Sequence, residues 1–396
     1  VHLVGRGARI RKDHLGHGGS TAMTSDAPQT GVLRILFIGK RFYTNRDAFT
    51  ERFGRIYQLP YWWAQSGHDV SLWLVDYHGH AADAFDDEAL AVETTPVFRW
   101  RFLVRFLRAF FGRWSSSRPD VIVASGDCYL GLLAWLVARA SGAQLVFDVY
   151  DRYDVFAGYK RLPGLDPFTF LIRRADLTTF ASAKVLDDFR SLARRSFLVP
   201  NGVDLGRFKP LPQRESRQAL GLPDSPSLVG YFGSMEPERG ISDLIDAIAA
   251  LQKDSVDIRL VIGGKADPAV NLDHPWVIYL GNVEFANMPA ALASCDVLAL
   301  PYRAGAFVDN ASSCKIAEYI AVQRPIVSTR SPNLTENFPR QAEQLEGLLA
   351  PAGDAVALAA CLRAQLAERR LVDMPGDMDW LSISRNTLAA IVGTDR

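Results

Sequence analysis

The residues of this chain best suited to chemistry are cations and carboxylates placed where strands should end. Gly233 to Gly240, GSMEPERG, lies between an apolar run and an amphipathic one, so a strand leads into it and a helix leaves it. The amides of such a turn and the positive end of the helix dipole suit an anion, and Arg239 adds a fixed, forked charge that matches a diphosphate. The plain alternative is an exposed turn with one solvated arginine. In SSCKIAEYIAVQRPIVST, Ser312 to Thr329, Lys315 and Glu318 stand three apart on a helix. They read either as a surface ion pair or as a cation for a phosphate beside a carboxylate suited to a vicinal diol. Lys40 and Arg41 in GKRFYTN, Gly39 to Asn45, follow the first strand and suit a donor phosphate, an anionic acceptor or simply solvent. Acids stand at two further strand ends, Asp127 in Gly126-Asp127-Cys128 and Asp148, Asp151 and Asp154 in FDVYDRYD; a carboxylate there can act as a general base if a hydroxyl comes within hydrogen-bond reach. No histidine cluster and no DxD flanked by apolar strand residues occurs, so no metal is expected.

The elements that must position these residues alternate. Short β-branched runs and longer amphipathic stretches follow one another from Val32: VLRILFIG, DVSLWLVDY, DVIVASG, QLVFDVYD and SFLVPNG in the first half, SLVGYFG, DIRLVIGG, WVIYLGNV, VLALPYR and RPIVSTR in the second. This is the pattern of βα units around parallel sheets. Two doubly wound, Rossmann-like α/β domains facing each other across a deep cleft are expected, with ligands at the carboxyl ends of the strands. The join falls near Phe208 to Leu222, where Pro210, Pro212 and Pro223 interrupt the pattern. Just before it, Pro200-Asn201-Gly202 reads as a tight turn whose residues tolerate positive φ, either a hairpin or the entry to a linker.

The longer string FLVPNGVDLGRFKP, Phe197 to Pro210, resembles the PNGVD-x-x-x-F signature of the family 4 retaining glycosyltransferases, the glycosyl transferases of group 1, and the resemblance covers most of the chain from Val32. It implies the GT-B fold and transfer of a sugar from a nucleotide-sugar donor to a glycan or lipid-linked acceptor. In that light the donor contacts are Gly39, Lys40, Gly233, Ser234, Arg239, Val283, Asp309, Asn310, Lys315 and Glu318. Arg239 stands for the lysine of the family's K-G pair, while the usual arginine after the strand is replaced by Ser234 and Met235. Lys315 reaches a phosphate, Glu318 the ribose hydroxyls, and Val283 and Phe285 in GNVEFANMP the base, with packing an equal reading for Phe285. The first acid of the family's E-x₇-E pair is Asn310 here, leaving an amide near the transferring sugar, with Asp309 beside it to compensate. Related enzymes often carry a histidine in the loop where Asp127 stands, which makes Asp127 the candidate acceptor base or sugar contact by position. The catalytic set is then Asp127, Asn310, Arg239 and Lys315. Front-face displacement, with the leaving diphosphate helping to deprotonate the acceptor, is the mechanism the resemblance implies.

Composition bounds the rest. At 396 residues, 48% hydrophobic and 22% charged, with 44 basic and 44 acidic side chains, the chain suits two ordinary globular cores and no nucleic-acid partner. The four cysteines lie far apart and read as thiols of a reducing cytoplasm. RWRFLVRFLRAFFGRW, Arg99 to Trp114, holds five arginines and no acid; Arg101, Arg105 and Arg108 share one helical face, fit for an anionic membrane surface or merely for water. A cytoplasmic protein, peripheral on the inner face of the cell membrane if that helix binds lipid, is expected in bacterial polysaccharide or glycolipid synthesis. The expected division is a disordered leader over 1–30, an acceptor-side domain over 31–208, a donor-binding domain over 209–376, and a helix over 377–396 that returns to the first domain. Two other readings remain: a catalytically degenerate sugar-nucleotide binder, and a sugar-nucleotide epimerase of the same fold.

Overall fold

The computed structural model describes residues 31–43, 46–97, 104, 118–156, 158–161 and 163–393. The leader over 1–30 lies outside the described residues, as do Asn45 and the three arginines of the membrane expectation, Arg101, Arg105 and Arg108.

Runs of apolar residues buried on both sides build the strands, as parallel sheets covered on both faces require. β1 (Arg34–Lys40) is followed by a short hairpin of β2 (Phe42–Tyr43) and β3 (Arg46–Asp47). Then come β4 (Asp69–Asp76), β5 (Asp83–Asp87), β6 (Leu90–Pro96), β7 (Val121–Ser125), β8 (Gln144–Val149), β9 (Leu177–Phe180) and β10 (Ser196–Leu198). Their order is β10-β9-β8-β7-β1-β4-β6-β5, parallel throughout except for β5 against β6. The second sheet holds β11 (Ser227–Phe232), β12 (Ile258–Gly263), β13 (Val277–Tyr279), β14 (Val297–Leu300), β15 (Ile326–Thr329) and β16 (Leu349–Ala350). It is wholly parallel in the order β13-β12-β11-β14-β15-β16. In both sheets the strand order reverses beside the first strand, and the crevice opens there at the carboxyl ends.

Helices cover the faces with apolar stripes. Ile241–Lys253 buries Ile241, Leu244, Ile245, Ile248 and Leu251, a 3.6-residue repeat, and packs on the helix Ala355–Glu368. One hairpin escaped the sequence pattern. The stretch after β4 reads as irregular yet pairs Asp87 with Leu90 across a two-residue turn in which Glu88 has φ 55°. No Asn-Gly or Asp-Gly marks that turn, and the acid-rich DAFDD of β5 suits an exposed sheet edge that must not recruit another chain.

Two hydrophobic cores form, one per sheet. Val199 belongs to the first and Val203 to the second; on the way back Met378 belongs to the second and Trp380 to the first. The chain therefore changes core twice at one place. There Val203 N donates to the Met378 carbonyl at 3.0 Å, and Val203 bridges Asp379 in parallel. The terminal helix Trp380–Val392 lies on Gly54–Gln65, with Trp63 Nε1 donating to the Ser384 carbonyl at 2.9 Å. The turn reading of Asn201-Gly202 is corrected here, since neither residue has positive φ and no hairpin follows. Gly202 is glycine for want of space: a Cβ would stand 2.8 Å from the Trp380 ring and 2.9 Å from Ile383.

Candidate functional site

The carboxyl end of β11 supplies the first half of the site. Gly233 has φ 152°, and a Cβ there would lie 2.1 Å from Lys315 Cε, so the lysine is laid directly on a strand end that carries no side chain. Lys315 sits in the first turn of Cys314–Ala321, where a cation gains nothing from the helix dipole. Its placement serves something other than helix stability. Ser234 hydrogen-bonds the Glu236 side chain, and its carbonyl accepts from the Tyr231 hydroxyl at 2.7 Å. Met235, one of the two residues replacing the family's usual arginine, is fully buried in the second core and cannot serve a phosphate.

Arg239 is 9% exposed and sits against the rings of Phe307 and Tyr302, 5.0 and 5.6 Å from their centroids. Glu236 stands 3.5 Å from Nε as an ion pair, yet among the described residues the buried Nε makes no hydrogen bond of good geometry. A buried guanidinium with an unused donor is costly unless a ligand completes it. Glu318, one turn along the helix from Lys315, is half-buried; burial pushes its pKa from 4.5 up to about 7, against the pull of Lys315 and of Arg46 from the first lobe. Its carboxylate makes no hydrogen bond or ion pair among the described residues.

Asp309 and Asn310 close the far side. Asn310 Nδ2 donates to the Ala306 carbonyl at 2.6 Å, which fixes the amide and leaves Oδ1 as the free end. Asp309 Oδ2 accepts from Gly305 N at 3.1 Å. The remaining oxygen of each side chain is buried without a donor. Val283 packs on the end of β12, where a Cβ on Gly263 would approach its Cγ2 to 2.7 Å. Phe285 meets Phe53 of the first lobe at 5.3 Å and Phe208 at 5.8 Å, with Arg207 and Arg46 over its ring at 4.5 and 5.2 Å. It is a packing residue between the lobes.

The first lobe treats its charges differently. Lys40 ends β1 with Nζ 5.4 Å from the Tyr77 ring, while Gly39 is glycine so that Ile56 can approach. Arg41 is buried and ion-paired to Asp47 at 2.8 Å and Asp76 at 3.5 Å, which corrects its reading as a phosphate or acceptor ligand. Asp127 caps the helix Cys128–Ser141, Oδ1 accepting from Tyr129 N at 2.6 Å and Leu130 N at 3.4 Å, and it also hydrogen-bonds Tyr77. The acidic cluster divides three ways. Asp148 is buried and filled by Arg55, Ser125 and Thr179; Asp154 is paired with Arg152 at 2.8 Å; Asp151, just past the carboxyl end of β8, is partly buried and accepts from the Tyr43 hydroxyl.

The lobes meet through loops at strand carboxyl ends. Asn201 Nδ2 donates to the Ser312 carbonyl at 2.6 Å while its Oδ1 accepts from Arg55 at 3.3 Å; Ala183 N donates to Asn337 Oδ1 at 2.9 Å. Sequence reasoning passed over Tyr43, Arg46 and Arg55. The first two lie on a hairpin of two-residue strands, too short for any periodicity, and nothing local distinguishes Arg55 from a solvated helix residue.

A model of the family described as glycosyl transferases group 1 matches residues 226–368, and one for a glycosyl transferase 4-like domain matches residues 55–202. The chain belongs to the group 1 glycosyltransferases. The group 1 match runs from the residue before β11 to the end of Ala355–Glu368 and so contains every donor-side residue from Gly233 to Glu318, while the second holds Arg55, Asp127, Asp148 and Asp151. Among curated relatives, the D-inositol 3-phosphate glycosyltransferase of Segniliparus rotundus is 27% identical over 220 residues, 51% of this chain and 48% of its own length. The phosphatidyl-myo-inositol mannosyltransferase of Mycobacterium leprae is 30% identical over 177 residues, 42% of this chain and 43% of its own. The chain spans about half the length of the curated relatives it matches. Sucrose-phosphate synthase of Thermosynechococcus elongatus superposes with TM-score 0.70 at 17% identity, over 91% of this chain and 99% of that one. Anabaena HepE in complex with UDP and glucose does so with TM-score 0.65 at 17% identity, over 91% and 99%. At such identity the likeness is one of fold, and the fold of this group 1 glycosyltransferase is GT-B. Among the described residues no helix is long and apolar enough to cross a membrane.

Proposed function

We propose that the protein transfers a sugar from a nucleotide-sugar donor to a glycan or lipid-linked acceptor, with retention at the anomeric carbon. The observation that carries this reading is the cation pair at the carboxyl end of β11: Arg239, buried with its Nε ion-paired to Glu236 at 3.5 Å but without a hydrogen bond among the described residues, and Lys315 lying on Gly233. Such a pair suits a diphosphate, and more so the charge that grows on it as the glycosidic bond breaks. Glu318 takes the ribose hydroxyls, and the donorless oxygens of Asp309 and Asn310 take hydroxyls of the transferring sugar. The acceptor enters on the face from which the diphosphate leaves, which retains configuration without a covalent intermediate.

The curated relatives direct the choice of substrates. Several name inositol 3-phosphate or phosphatidylinositol, and several are named GDP-mannose-dependent mannosyltransferases, so a mannose donor and an anionic inositol-bearing glycolipid acceptor are the first pair to try. A thermal-shift panel of UDP-, GDP- and ADP-sugars should give one that raises Tm, because a ligand of the native state alone stabilises it. Lys315→Ala should weaken that donor about 10- to 100-fold, the worth of one charged hydrogen bond. Transfer to a membrane lipid extract then completes the test. Binding without turnover would favour the degenerate binder, isomerised sugar without transfer the epimerase, and no binding at all would sink the proposal.

A further inference from the structure

We propose that Asp151, held by the Tyr43 hydroxyl, takes the proton from the acceptor hydroxyl, an inference that rests on the transferase reading above. Three acids lie within FDVYDRYD, and the fold leaves one available. Asp148 receives Arg55 Nε and Nη2 at 3.1 and 2.7 Å, Ser125 Oγ at 2.6 Å and Thr179 Oγ1 at 2.6 Å. Asp154 is bound by both Nε and Nη2 of Arg152, at 2.8 and 2.9 Å. The Asp151 carboxylate accepts one hydrogen bond among the described residues, from Tyr43, whose ring stands edge-on to Tyr150 at 4.2 Å and is thereby fixed.

Across the cleft stands Arg239, close enough for its charge to act on Asp151; Arg55 acts from behind, and Tyr150 and Tyr153 flank the group, kept neutral by burial. A hydroxyl entering between the lobes thus finds a carboxylate on one side and, on the other, the cation assigned to the diphosphate. Burial raises the pKa of Asp151 to about 6, opposed by the Tyr43 hydroxyl, Arg239 and Arg55, which leaves a carboxylate ionised at neutral pH yet more basic than an exposed one. A donor diphosphate that neutralises Arg239 removes one of those opposing charges and makes Asp151 a stronger base.

In the step itself the acceptor O–H bond breaks and its proton passes to Asp151, while the acceptor oxygen bonds the anomeric carbon. The bond from that carbon to the diphosphate oxygen breaks, and its electron pair leaves with the nucleoside diphosphate, met by Arg239 and Lys315. Asp151 thereby takes the role that the family resemblance assigns to the leaving diphosphate.

The test measures transfer, donor affinity and the pH profile of kcat in the full chain. Asp151→Asn should lower kcat by about 100-fold or more, as loss of a general base does, while the donor still raises Tm. The acid limb of the wild-type kcat profile, which lies above pH 6 once the donor diphosphate neutralises Arg239, should be missing from the residual activity. Tyr43→Phe should move that limb to higher pH, because it removes a hydrogen bond that favours the charged carboxylate; a purely structural Asp151 predicts no such movement. The lobe carries another oriented base, His80, held through Nδ1 by buried Asp76 at 2.8 Å. A limb that persists in Asp151→Asn and disappears in His80→Gln would overturn the proposal, as would Asp151→Asn turning over within about threefold of wild type, a loss far below that of a missing general base. If wild type transfers no sugar, the functional reading fails first and this inference with it; if wild type transfers and Asp151→Asn matches it, this inference alone fails.

Discussion

The two lobes hold their charges in opposite ways. In the second lobe, among the described residues, Arg239 keeps an Nε without a hydrogen bond, Lys315 lies on a bare strand end and the Glu318 carboxylate makes no hydrogen bond or ion pair. In the first lobe Arg41, Arg55, Asp76 and Asp148 are buried and joined to one another or to backbone, and Asp127 holds a helix cap. Charge in the second lobe is buried with hydrogen-bond partners missing among the described residues, whereas charge in the first is largely satisfied within the fold and the Asp151 carboxylate accepts one hydrogen bond, from Tyr43. Burial alone therefore does not mark a functional charge. What marks it is burial with a partner missing.

The contrast can be broken most strongly at Arg55. Arg55→Ala strands Asp148 among Ser125 and Thr179 and frees the Val199 carbonyl and Asn201, so unfolding in urea should show a loss of about 3–5 kcal/mol, the usual result of removing one partner of a buried pair. Replacing Glu318 should act in the opposite direction. Its folded pKa of about 7 exceeds the ordinary 4.5, so between those pH values the native protein keeps a proton that the unfolded chain has lost, and stability falls as pH rises. Glu318→Gln removes that slope. The variant should be more stable than wild type above pH 7, by about 1–2 kcal/mol once screening of a half-buried group is allowed for, and the gain should vanish below pH 4.5. A Glu318→Gln protein no more stable than wild type at pH 8 would show that the carboxylate is already satisfied. The smallest effect belongs to Arg34–Asp120, whose side chains are 47% and 39% exposed; Arg34→Ala should leave the urea midpoint within error of wild type and set the baseline for the other two.

Much of the donor side is legible along the chain because its parts are local. Gly233 and Arg239 sit in one turn after one strand, and Asp309, Asn310, Lys315 and Glu318 within ten residues, so strand-then-helix periodicity alone brings them to a crevice. The acceptor side is not local. Lys40 and Arg41 are adjacent cations, yet only Arg41 is drawn into the core, by Asp47 and Asp76. Asp148, Asp151 and Asp154 are three acids in one short segment, and which of them is filled, singly hydrogen-bonded or ion-paired follows from Arg55, Tyr43 and Arg152. The β5–β6 hairpin stayed hidden because its left-handed residue is a glutamate, and Gly202 was misread because crowding, not φ, selects it.

The two alternating α/β halves, the family and the grouping of Gly233 with Arg239 and of Asp309, Asn310, Lys315 and Glu318 can be read along the chain, because each depends on side chains only a few positions apart. Tertiary structure alone decided which charges are structural and which remain available. Arg55 and Asp148 are 93 residues apart, Tyr43 and Asp151 are 108 apart, and the charge of Arg239 acts on Asp151 from the other lobe. A carboxylate's basicity is set by its depth in the fold and by the charges brought beside it, and both come from parts of the chain that only folding makes neighbours.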